Sequence, residues 1–415
     1  MFEKYDAYKD SGVEWIGDIP SHWNVKNLRY TFDFLNYRRI PLSALERGNK
    51  QGSYPYYGAS GIIDYVDDYL FDEKLLLIAE DGANLLSKST PLAFLAEGKY
   101  WVNNHAHILK PKTKAYGFWE KLLCNVDYTV FITGAAQPKL SRENLGGISL
   151  PIPPIDEQLK IEKYIDQKAF EIDQVIAIKE QQIALLNERK QIVIQKAVTQ
   201  GLDPNVPMKD SGVEWIGEIP EHWNIARAKY LFTEVEERSI SGNEELLSVS
   251  HLTGVTPRSE KNVSMFMAED YTGSKVCKKH DLVMNIMWAW MGALGVSHYD
   301  GIVSPAYGVY RQKVANTFNS EYLEYLLKTT KYIEHYNRVS TGLHSSRLRF
   351  YGHMFFNMKL GFPCLDEQKE IIADIKNQTS KIELAVENLA NQIEKLKEYK
   401  TTLINDAVTG KIKVA

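Results

Sequence analysis

The strongest constraint on the fold of this chain is a phrase of 16 residues that occurs twice. KDSGVEWIGDIPSHWN spans Lys9–Asn24 and KDSGVEWIGEIPEHWN spans Lys209–Asn224, so the second copy begins 200 residues after the first in a chain of 415. We call each copy a tag. Nine consecutive residues of the first tag, Lys9–Gly17, return unchanged in the second. Such identity predicts two copies of a module of about half the chain's length.

A second repeat closes each copy of the module. PPIDEQLKIEKYI begins at Pro153 and PCLDEQKEIIADI at Pro363, and further along AVTQG from Ala197 matches AVTGK from Ala407, so both pairs are 210 residues apart. About 45 residues therefore run in register without an insertion. This is typical of long helices, because one inserted residue would rotate all later side chains by about 100°. Acidic residues after the proline and a glycine at the far end are helix start and stop signals.

Both helical segments carry a heptad stripe of apolar residues. One heptad position holds Ile165, Ile172, Leu186 and Val193 in the first segment, with Lys179 as the exception, and Ile375, Ile382, Leu389, Leu396 and Leu403 in the second. A stripe sustained over about six heptads predicts a coiled coil. The alternative is two unrelated amphipathic helices on separate cores. Equal lengths, equal stripes and equal end signals favour helices that pair with each other.

Between tag and helix lie two bodies, Tyr30–Pro151 and Tyr230–Gly361. Their short apolar runs, such as LLLIAEDG and HDLVMNIMW, are separated by Gly, Asn, Asp and Pro, which is typical of mixed α/β domains with long loops. The bodies hardly match in sequence, apart from a weak echo between GAAQPKL from Gly134 and GLHSSRL from Gly342. We call a tag and its long helix together a frame. Because the two frames are alike and the two bodies are unlike, the frames are expected to perform one task twice and the bodies to recognise two different things.

Composition sets broad limits on the class of protein. The chain is 44% hydrophobic and 25% charged, which is ordinary for a globular protein. It has no run near the roughly 18 apolar residues of a membrane span, and MFEKYDAYKD lacks the apolar core of a signal peptide, so we expect a cytoplasmic protein. The net charge of −4 leaves nucleic-acid binding open, because a local patch of roughly six to ten cations is enough.

Motifs for catalysis are absent from the sequence: it has no GxxxxGK[ST], no GxGxxG after a strand and no [DNS]PP[FYW] of amino-methyltransferases. His105 and His107 form an HxH pair, but without a nearby third ligand a metal site is the weaker interpretation. Glu80 and Asp81 are either a solvated turn or a carboxylate that accepts a hydrogen bond from cytosine N4. NIMWAWMGALG, Asn285–Gly295, is predicted as core strand and turn, with an aromatic stacking platform as the alternative.

Loops of both bodies carry polar side chains suited to DNA, because Arg and Lys pair with guanine or phosphate, and Asn or Gln with adenine. The DNA-binding candidates are Arg38, Arg39, Lys88, Asn103, Asn104, Gln137, Lys139 and Arg142 in the first body, and Arg258, Lys261, His344, Ser345, Ser346, Arg347 and Arg349 in the second. Any one of them alone is also explained as a solvated surface residue. STGLHSSRLRFYGH, Ser340–His353, is the best candidate, because arginines, serines, histidines and aromatics crowd one glycine-bearing loop.

Together these features resemble the DNA-specificity subunit of type I restriction-modification systems. The two tags, the helix starts PPIDEQ and PCLDEQ, and the closing AVTQG and AVTGK carry the resemblance, which covers nearly the whole chain. It implies an α+β fold: two mixed α/β target recognition domains separated by two long antiparallel coiled-coil helices, with a pseudo-two-fold internal repeat. The implied parts are residues 1–152 and 202–361 for the recognition domains, the latter with its linker, and 153–201 and 362–415 for the helices, the latter with the C-terminal tail.

The resemblance also implies what the chain binds. Each recognition domain would read one half of a split site in double-stranded DNA. Two methyltransferase subunits, which bind S-adenosylmethionine and methylate adenine N6, and two motor-nuclease subunits, which use ATP and Mg, would join it. The chain itself would hold no active site, cofactor or metal. The tag would then occur twice because two identical methyltransferases require equivalent docking surfaces.

Two alternatives come from other classes of protein. One is a nuclease or modification enzyme with its own unrecognised site, and the other is a coiled-coil scaffold that is indifferent to DNA. Assays on the chain distinguish them, because an enzyme would turn over alone and a scaffold would show no sequence preference even with its partners.

Overall fold

The computed structural model describes residues 3–134, 137–260, 270–342 and 348–414. The chain divides into two compact units. Unit 1 comprises Met1–Glu180 with Ala390–Ala415, and unit 2 comprises Gln181–Leu389. Each unit therefore combines one tag and one body with a part of both long helices.

The elements of unit 1 begin with the tag hairpin and end in the first long helix. In chain order they are β1 Tyr8–Asp10, β2 Asp18–Pro20, β3 Asn24–Asn27, α1 Leu28–Thr31, β4 Phe32–Phe34, α2 Ala44–Asn49, β5 Gln51–Gly58, β6 Gly61–Val66, β7 Phe71–Asp72, β8 Leu75–Ala79, α3 Asn84–Ser87, β9 Ala93–Ala96, β10 Lys99–Val102, β11 Ala106–Pro111, α4 Tyr116–Asn125, β12 Ile132–Thr133, β13 Lys139–Leu140, α5 Arg142–Gly147, β14 Ser149–Ile152 and α6 Ile155–Gln200. The last 20 residues of α6 belong to unit 2.

Unit 2 begins in the same way with a tag hairpin. Its elements are β15 Met208–Asp210, β16 Glu218–Pro220, β17 Asn224–Arg227, α7 Ala228–Leu231, β18 Phe232–Glu234, β19 Leu247–Ser250, β20 Gly254–Pro257, β21 Lys275–Cys277, β22 Leu282–Met284, β23 Leu294–Val296, β24 Gly301–Val303, β25 Gly308–Gln312, α8 Ser320–Leu327, α9 Thr330–Val339, α10 Gly352–Asn357, β26 Lys359–Phe362 and α11 Leu365–Val408. The C-terminal part of α11 belongs to unit 1.

The two bodies share a sheet topology that their sequences conceal. Unit 1 contains an antiparallel sheet in the order β4-β11-β8-β9, and unit 2 contains one in the order β18-β25-β22-β23. In both units the strand after the tag pairs with the strand before the long helix, as β3 with β14 and β17 with β26. The remaining strands differ, since unit 1 adds the sheet β6-β5-β10-β7, and unit 2 adds the hairpin β19-β20 and the two-stranded sheet β21-β24. The internal repeat therefore includes the bodies, and the predicted fold class is confirmed.

The long helices pair in antiparallel orientation within each unit. In unit 1, Lys400 Nζ bonds both carboxylate oxygens of Asp173 at 2.7 Å, and Lys179 Nζ donates to Gln392 Oε1 at 2.6 Å. A later residue of α6 thus meets an earlier residue of α11, as antiparallel helices require. Lys179 is the polar residue in the heptad stripe. Its amino group bonds an acceptor on the other helix, and the aliphatic part of its side chain lies along the interface between the two helices.

The same pairing continues in unit 2, where Lys190 Nζ bonds Glu383 Oε1 at 2.5 Å. Each part of the two long helices buries its apolar stripe in the core of the unit to which that part belongs. The helix residues in the core of unit 1 are Ile161, Ile165, Ile172, Leu403, Ala407 and Val408, and those in the core of unit 2 are Ile194, Ala197, Val198, Ile371, Ile372 and Ile375. The predicted coiled coil is therefore continuous with the domain cores.

The tag of unit 1 is fastened to the first turn of α6 through one carboxylate. Glu157 Oε2 lies 2.9 Å from His22 Nε2, and Glu157 Oε1 accepts a hydrogen bond from the Tyr5 hydroxyl. In unit 2, Glu367 at the start of α11 has the same role: it lies 2.8 Å from His222 Nε2. We call Glu157-Gln158 and Glu367-Gln368, at the starts of the long helices, the EQ pairs. The histidine of each tag and the glutamate of each EQ pair are repeated because they bind each other.

The glutamine of each EQ pair fastens the helix start to the body. Gln158 Nε2 donates to the Pro153 carbonyl at 2.9 Å, and its Oε1 accepts from Thr113 Oγ1 at 2.8 Å. Gln368 Nε2 likewise donates to the Pro363 carbonyl at 3.0 Å. Both glutamines are at most 1% exposed, so these amides need internal partners.

Each tag also contacts the end of the other long helix. Gly410 follows α11 at φ 78°, and a Cβ there would lie 2.5 Å from Pro20 Cδ in the tag of unit 1. Gly201 follows α6 at φ 77°, and a Cβ there would lie 3.7 Å from Trp223 of the second tag. Glycine is required at both places because the left-handed backbone ends the helix and, at Gly410, because no side chain fits. Each tag thus lies between the start of one helix and the end of the other.

The Glu157 contact makes a stability prediction. Glu157→Ala is expected to lower the free energy of unfolding of unit 1 by about 1–3 kcal/mol, because it removes a charged acceptor from a site that is 10% exposed and leaves the Tyr5 hydroxyl without it. Hydrogen exchange of the buried amides of unit 1 measures the effect. Asp156→Ala is the matched control, since Asp156 is an exposed acid in the same helical turn. Equal effects of the two substitutions would contradict this role of Glu157.

Candidate nucleic-acid interface

Equivalent strand pairs bring unlike side chains to the same place in the two bodies. In unit 1, β8 pairs with β11, and the last pair in register is Ala79 with Ala106. In unit 2, β22 pairs with β25, and the last pair is Met284 with Gly308. The next residues along these strands are Glu80 opposite His105 in unit 1 and Asn285 opposite Tyr307 in unit 2. We call these positions the loop base of each unit, because the loops that lead to β9 and β23 begin there.

The loop base of unit 1 is held by an ion-paired carboxylate. Arg39 Nη1 bonds Glu80 Oε2 at 2.6 Å and also donates to the carbonyls of Asn104 and Ala106 at 3.2 and 2.7 Å. Lys139 Nζ lies 3.5 Å from Glu80 Oε1. Burial raises the pKa of Glu80, but the hydrogen bond from Arg39 and the neighbouring cations outweigh burial and hold this pKa below its ordinary value. Glu80 therefore stays ionised and joins three chain segments.

His107 lies beneath this carboxylate and is a structural residue. Its Nε2 lies 2.7 Å from the Leu140 carbonyl, which fixes the proton on that nitrogen, and its Nδ1 accepts from Asn36 Nδ2 at 2.8 Å. Burial lowers the pKa of His107, so the ring is neutral at pH 7. No group of three His, Cys, Asp or Glu side chains that could hold a metal ion occurs in residues 3–134, 137–260, 270–342 and 348–414.

The outer layer of this loop base is polar and exposed. His105 Nδ1 lies 2.8 Å from Asp81 Oδ1, and the side chains are 51% and 32% exposed. Two backbone hydrogen bonds join this loop to the end of the GAAQPKL segment. Gly82 N donates to the Pro138 carbonyl, and Leu140 N donates to the Glu80 carbonyl. The structure thus places Asp81 and His105 side by side at the surface, on a base that is fixed by hydrogen bonds.

The predicted DNA-binding residues of the first body fall into two groups. Arg39, Asn103, Asn104, Gln137 and Lys139 gather around the loop base of unit 1. Within this group, Asn103 is buried and accepts from His105 N at 2.8 Å, whereas Asn104, Gln137 and Lys139 are exposed. Arg39, with a side chain 15% exposed and three acceptors, holds the loop in place.

The second group contacts residues other than Glu80 and His105. Arg38 bonds Glu73 at 2.7 Å and lies 4.4 Å above the Phe71 ring. Lys88 pairs with Asp127 at 3.5 Å, and Arg142 covers the Phe34 ring at 5.2 Å. These three cations have intramolecular partners in the structure, and their contact with DNA stays a prediction.

The loop base of unit 2 has a different chemistry. Asn285 is buried, its Nδ2 donates to the Tyr307 hydroxyl at 3.0 Å, and its Oδ1 accepts from Met287 N at 3.1 Å. The loop then presents Trp288, which is 45% exposed and stacks on Trp290 with ring centroids 6.0 Å apart. NIMWAWMGALG is therefore core only in part, since one of its tryptophans is at the surface.

Two predicted cations lie beside this loop. Arg349 pairs through its backbone with Thr341, and the next residue, Phe350, donates to the Ile286 carbonyl at 2.9 Å. Burial raises the pKa of Tyr307, and the nearby charge of Arg258 opposes that shift. The candidates Lys261, His344, Ser345, Ser346 and Arg347 lie outside the described residues.

Comparisons with known proteins find similarity to specificity subunits of type I restriction enzymes. The family model of the type I restriction modification DNA specificity domain matches residues 20–188. S.HindORF215P of Haemophilus influenzae, which carries the name of a type I restriction enzyme specificity subunit, is 35% identical over 157 residues, or 38% of this chain and 37% of that protein. The MjaVIII specificity subunit of Methanocaldococcus jannaschii is 24% identical over 423 residues, or 95% of this chain and 94% of that protein.

The fold has a close counterpart among solved structures. A chain from a structural study of complex assembly and conformational transition in the type I R-M system has a TM-score of 0.62 at 14% sequence identity, and the match covers 94% of this chain and 98% of that chain. The chain is similar to the DNA specificity subunits of type I restriction-modification systems, as its tags and helix starts predict, both in the domain at residues 20–188 and along nearly its whole length. No helix in the described part of the chain has the length and apolar character needed to span a membrane.

Proposed function

We propose that this chain recognises a bipartite site in double-stranded DNA, with unit 1 reading one half and unit 2 the other. The observation that carries the proposal is the loop base. Equivalent strand ends hold Glu80 opposite His105 in unit 1, where Asp81 pairs with His105 at the surface, and Asn285 opposite Tyr307 in unit 2. The tags and long helices are alike in the two units, whereas the loop bases differ. Recognition of two different half-sites requires this combination.

The two loop bases suit different base contacts. In unit 1, the Asp81 carboxylate accepts a hydrogen bond from an exocyclic amine such as cytosine N4, while Lys139 and Gln137 contact phosphate or bases. In unit 2, Trp288 offers an aromatic face and Arg258 and Arg349 supply positive charge. Arg347, with its neighbours in the same loop, stays a predicted contact of unit 2.

The proposal assigns catalysis to other subunits. Two methyltransferase subunits, which use S-adenosylmethionine, and two motor-nuclease subunits, which use ATP and Mg, act on DNA that this chain selects. The chain binds and orients these partners and performs no chemistry. A duplicated frame supports this assignment, because two copies of one partner need two equivalent surfaces.

Exchange of one body tests the bipartite site. Replacement of Tyr230–Gly361 by the corresponding body of another specificity subunit is expected to change one half of the methylated motif and to leave the other half unchanged, because each unit has its own core and its own reading loop. Mapping of methylated adenines in DNA from cells that carry the complete system measures the outcome. The reciprocal exchange of Tyr30–Pro151 should change the other half. A change of both halves by either exchange would refute the division of labour.

A further inference from the structure

The two units differ in charge at one equivalent pair of residues. In unit 1, β3 pairs with β14, and the pair next to α1 is Asn27 opposite Ser149. In unit 2, β17 pairs with β26, and the pair next to α7 is Arg227 opposite Lys359. The residues of the second pair follow those of the first at the offsets of the two repeats, 200 and 210 residues. The same place is therefore neutral in unit 1 and carries two positive charges in unit 2.

The pair of unit 1 is satisfied internally, whereas the pair of unit 2 is not. Ser149 Oγ donates to Asn27 Oδ1 at 3.1 Å. The side chains of Arg227 and Lys359 have no ion-pair or hydrogen-bond partner in the part of the chain that the structure describes. Like charges directly opposite each other in an antiparallel pair destabilise a sheet. Unit 2 thus contains a local repulsion that no carboxylate of its described residues offsets.

Both cations line one cavity of unit 2, which has a volume of about 430 Å³. His353 and Asn357 of α10 also line it, and their ring and amide nitrogens can donate hydrogen bonds. No aspartate or glutamate among the described residues lines this cavity. Two cations and further donors without a carboxylate are suited to an anionic ligand, and above all to a phosphate group.

An aromatic stack forms part of the cavity wall. Trp215 of the tag and His335 of α9 lie with their ring centroids 4.2 Å apart and their planes 15° apart. Burial lowers the pKa of His335 to about 4, so its ring is neutral at pH 7. The permanent positive charge of the cavity is therefore that of Arg227 and Lys359.

The cavity adjoins both ends of the loop that is predicted to contact DNA. Val339, the last residue of α9, and His353, the second residue of α10, both line it. The segment between them includes Arg349. A DNA strand that contacts this loop passes close to the cavity, and backbone phosphates are the groups that proteins contact beside a base-reading loop. This position favours a phosphate of DNA over a free anion.

We propose that Arg227 and Lys359 bind a backbone phosphate of the half-site that unit 2 reads, and that Asn27 and Ser149 make no such contact in unit 1. The inference rests on the proposed function, because it requires that unit 2 binds DNA, and it adds a phosphate contact to one half-site only. Such a contact carries no sequence information and fixes the register of unit 2 on the duplex.

Exchange of the unit 2 residues for those of unit 1 tests the proposal. Arg227→Asn with Lys359→Ser, in the full chain assembled with the partner subunits of its system, is expected to lower the slope of log affinity against log salt concentration by about 0.9, the value for one neutralised phosphate. Binding to a duplex that carries the methylated motif should weaken by about 15-fold at about 50 mM salt and by about fourfold at about 200 mM. Fluorescence anisotropy of the labelled duplex measures both quantities, and the methylated motif itself should not change.

The thermal stability of the same variant distinguishes ligand binding from a structural role. The exchange removes two opposed charges and installs the pair that forms a hydrogen bond in unit 1. Without DNA, the midpoint of thermal unfolding should therefore rise. Cations that are kept for the stability of unit 2 would give a lower midpoint instead.

A matched control removes the same two charges elsewhere in unit 2. Arg189 of α6 and Lys381 of α11 are exposed and have no ion-pair partner among the residues that the structure describes. Arg189→Asn with Lys381→Ser should leave the salt slope unchanged and the affinity for DNA within about twofold, because charges far from the phosphates are screened by salt.

Three results would overturn the inference. An unchanged salt slope in the Arg227/Lys359 variant, with a lower midpoint of unfolding, would give the cations a structural role. Equal losses of slope in the control variant would trace the effect to net charge. Calorimetric binding of inorganic phosphate that the Arg227/Lys359 variant loses, while its DNA binding is unchanged, would assign the cavity to a free anion. In all three cases the complex still prefers its motif, whereas a wild-type complex without any sequence preference would refute the proposed function itself.

Discussion

Replacement of Trp223 by alanine is expected to lower the free energy of unfolding of unit 2 by about 3–5 kcal/mol, the usual cost of removing a large buried aromatic. Trp223 is 1% exposed and belongs to the core that includes Ile194 and Ala197 of α6 and Ile371 of α11. Its indole Nε1 also donates to Glu367 Oε1 at 3.0 Å. The substitution therefore opens a cavity where the tag meets both helices and removes one partner of a carboxylate.

The equivalent tryptophan of unit 1 separates packing from hydrogen bonding. Trp23 is fully buried, but its Nε1 has no hydrogen-bond partner in the described residues, because Tyr5 occupies Glu157 instead. Trp23→Phe should consequently cost less than Trp223→Phe, since only the second loses a hydrogen bond to a charged group. Hydrogen exchange of the buried amides of each unit measures both. Equal costs would show that the Trp223–Glu367 bond contributes nothing.

Surface position provides the control for these core substitutions. Trp288→Ala removes an indole that is 45% exposed and should change the stability of unit 2 far less than Trp223→Ala. A comparable loss from Trp288→Ala would mean that its loop is part of the core.

The frame was predictable from sequence because its residues contact one another at fixed spacings. The heptad stripe follows the buried side of each helix and is therefore visible in the sequence. Lys179 is the polar residue within that stripe, and Gln392 on the other helix is its hydrogen-bond partner. The tags and EQ pairs are repeated because their residues contact each other, although the sequence alone did not show that His22 contacts Glu157. Repetition marks such residues as necessary, and only the fold shows what each one touches.

The bodies were harder to predict, because their repeat is one of topology and not of residue identity. Equivalent strands hold different apolar residues, which fill the cores equally well. Arg39 has the local sequence of a surface cation, and its partner Glu80 is 41 residues away and reaches it only through strand pairing. Asn285 and Tyr307 meet for the same reason, and no local signal announces either pair.

Lengthening both long helices by one heptad is expected to lengthen the spacer between the two half-sites. Seven residues inserted after Glu180 and seven after Leu389 fall at the boundaries between the units, so the pairing inside each unit is kept. The insertions preserve the heptad stripe and add about 10 Å of helix, close to three base pairs at about 3.4 Å each. The methylated motif should retain both half-sites and gain two to three base pairs between them, as mapping of methylated adenines would show.

The longer spacer also changes the rotational relation of the half-sites by about a third of a DNA turn, so DNA must twist and affinity should fall. Four-residue insertions at the same places serve as the comparison. They rotate the apolar stripe out of the seam between α6 and α11, so they should destabilise both units and abolish methylation. A folded seven-residue variant that methylates the original motif with its spacer unchanged would show that the helices do not set the spacing, because the units would then bind their half-sites independently of helix length.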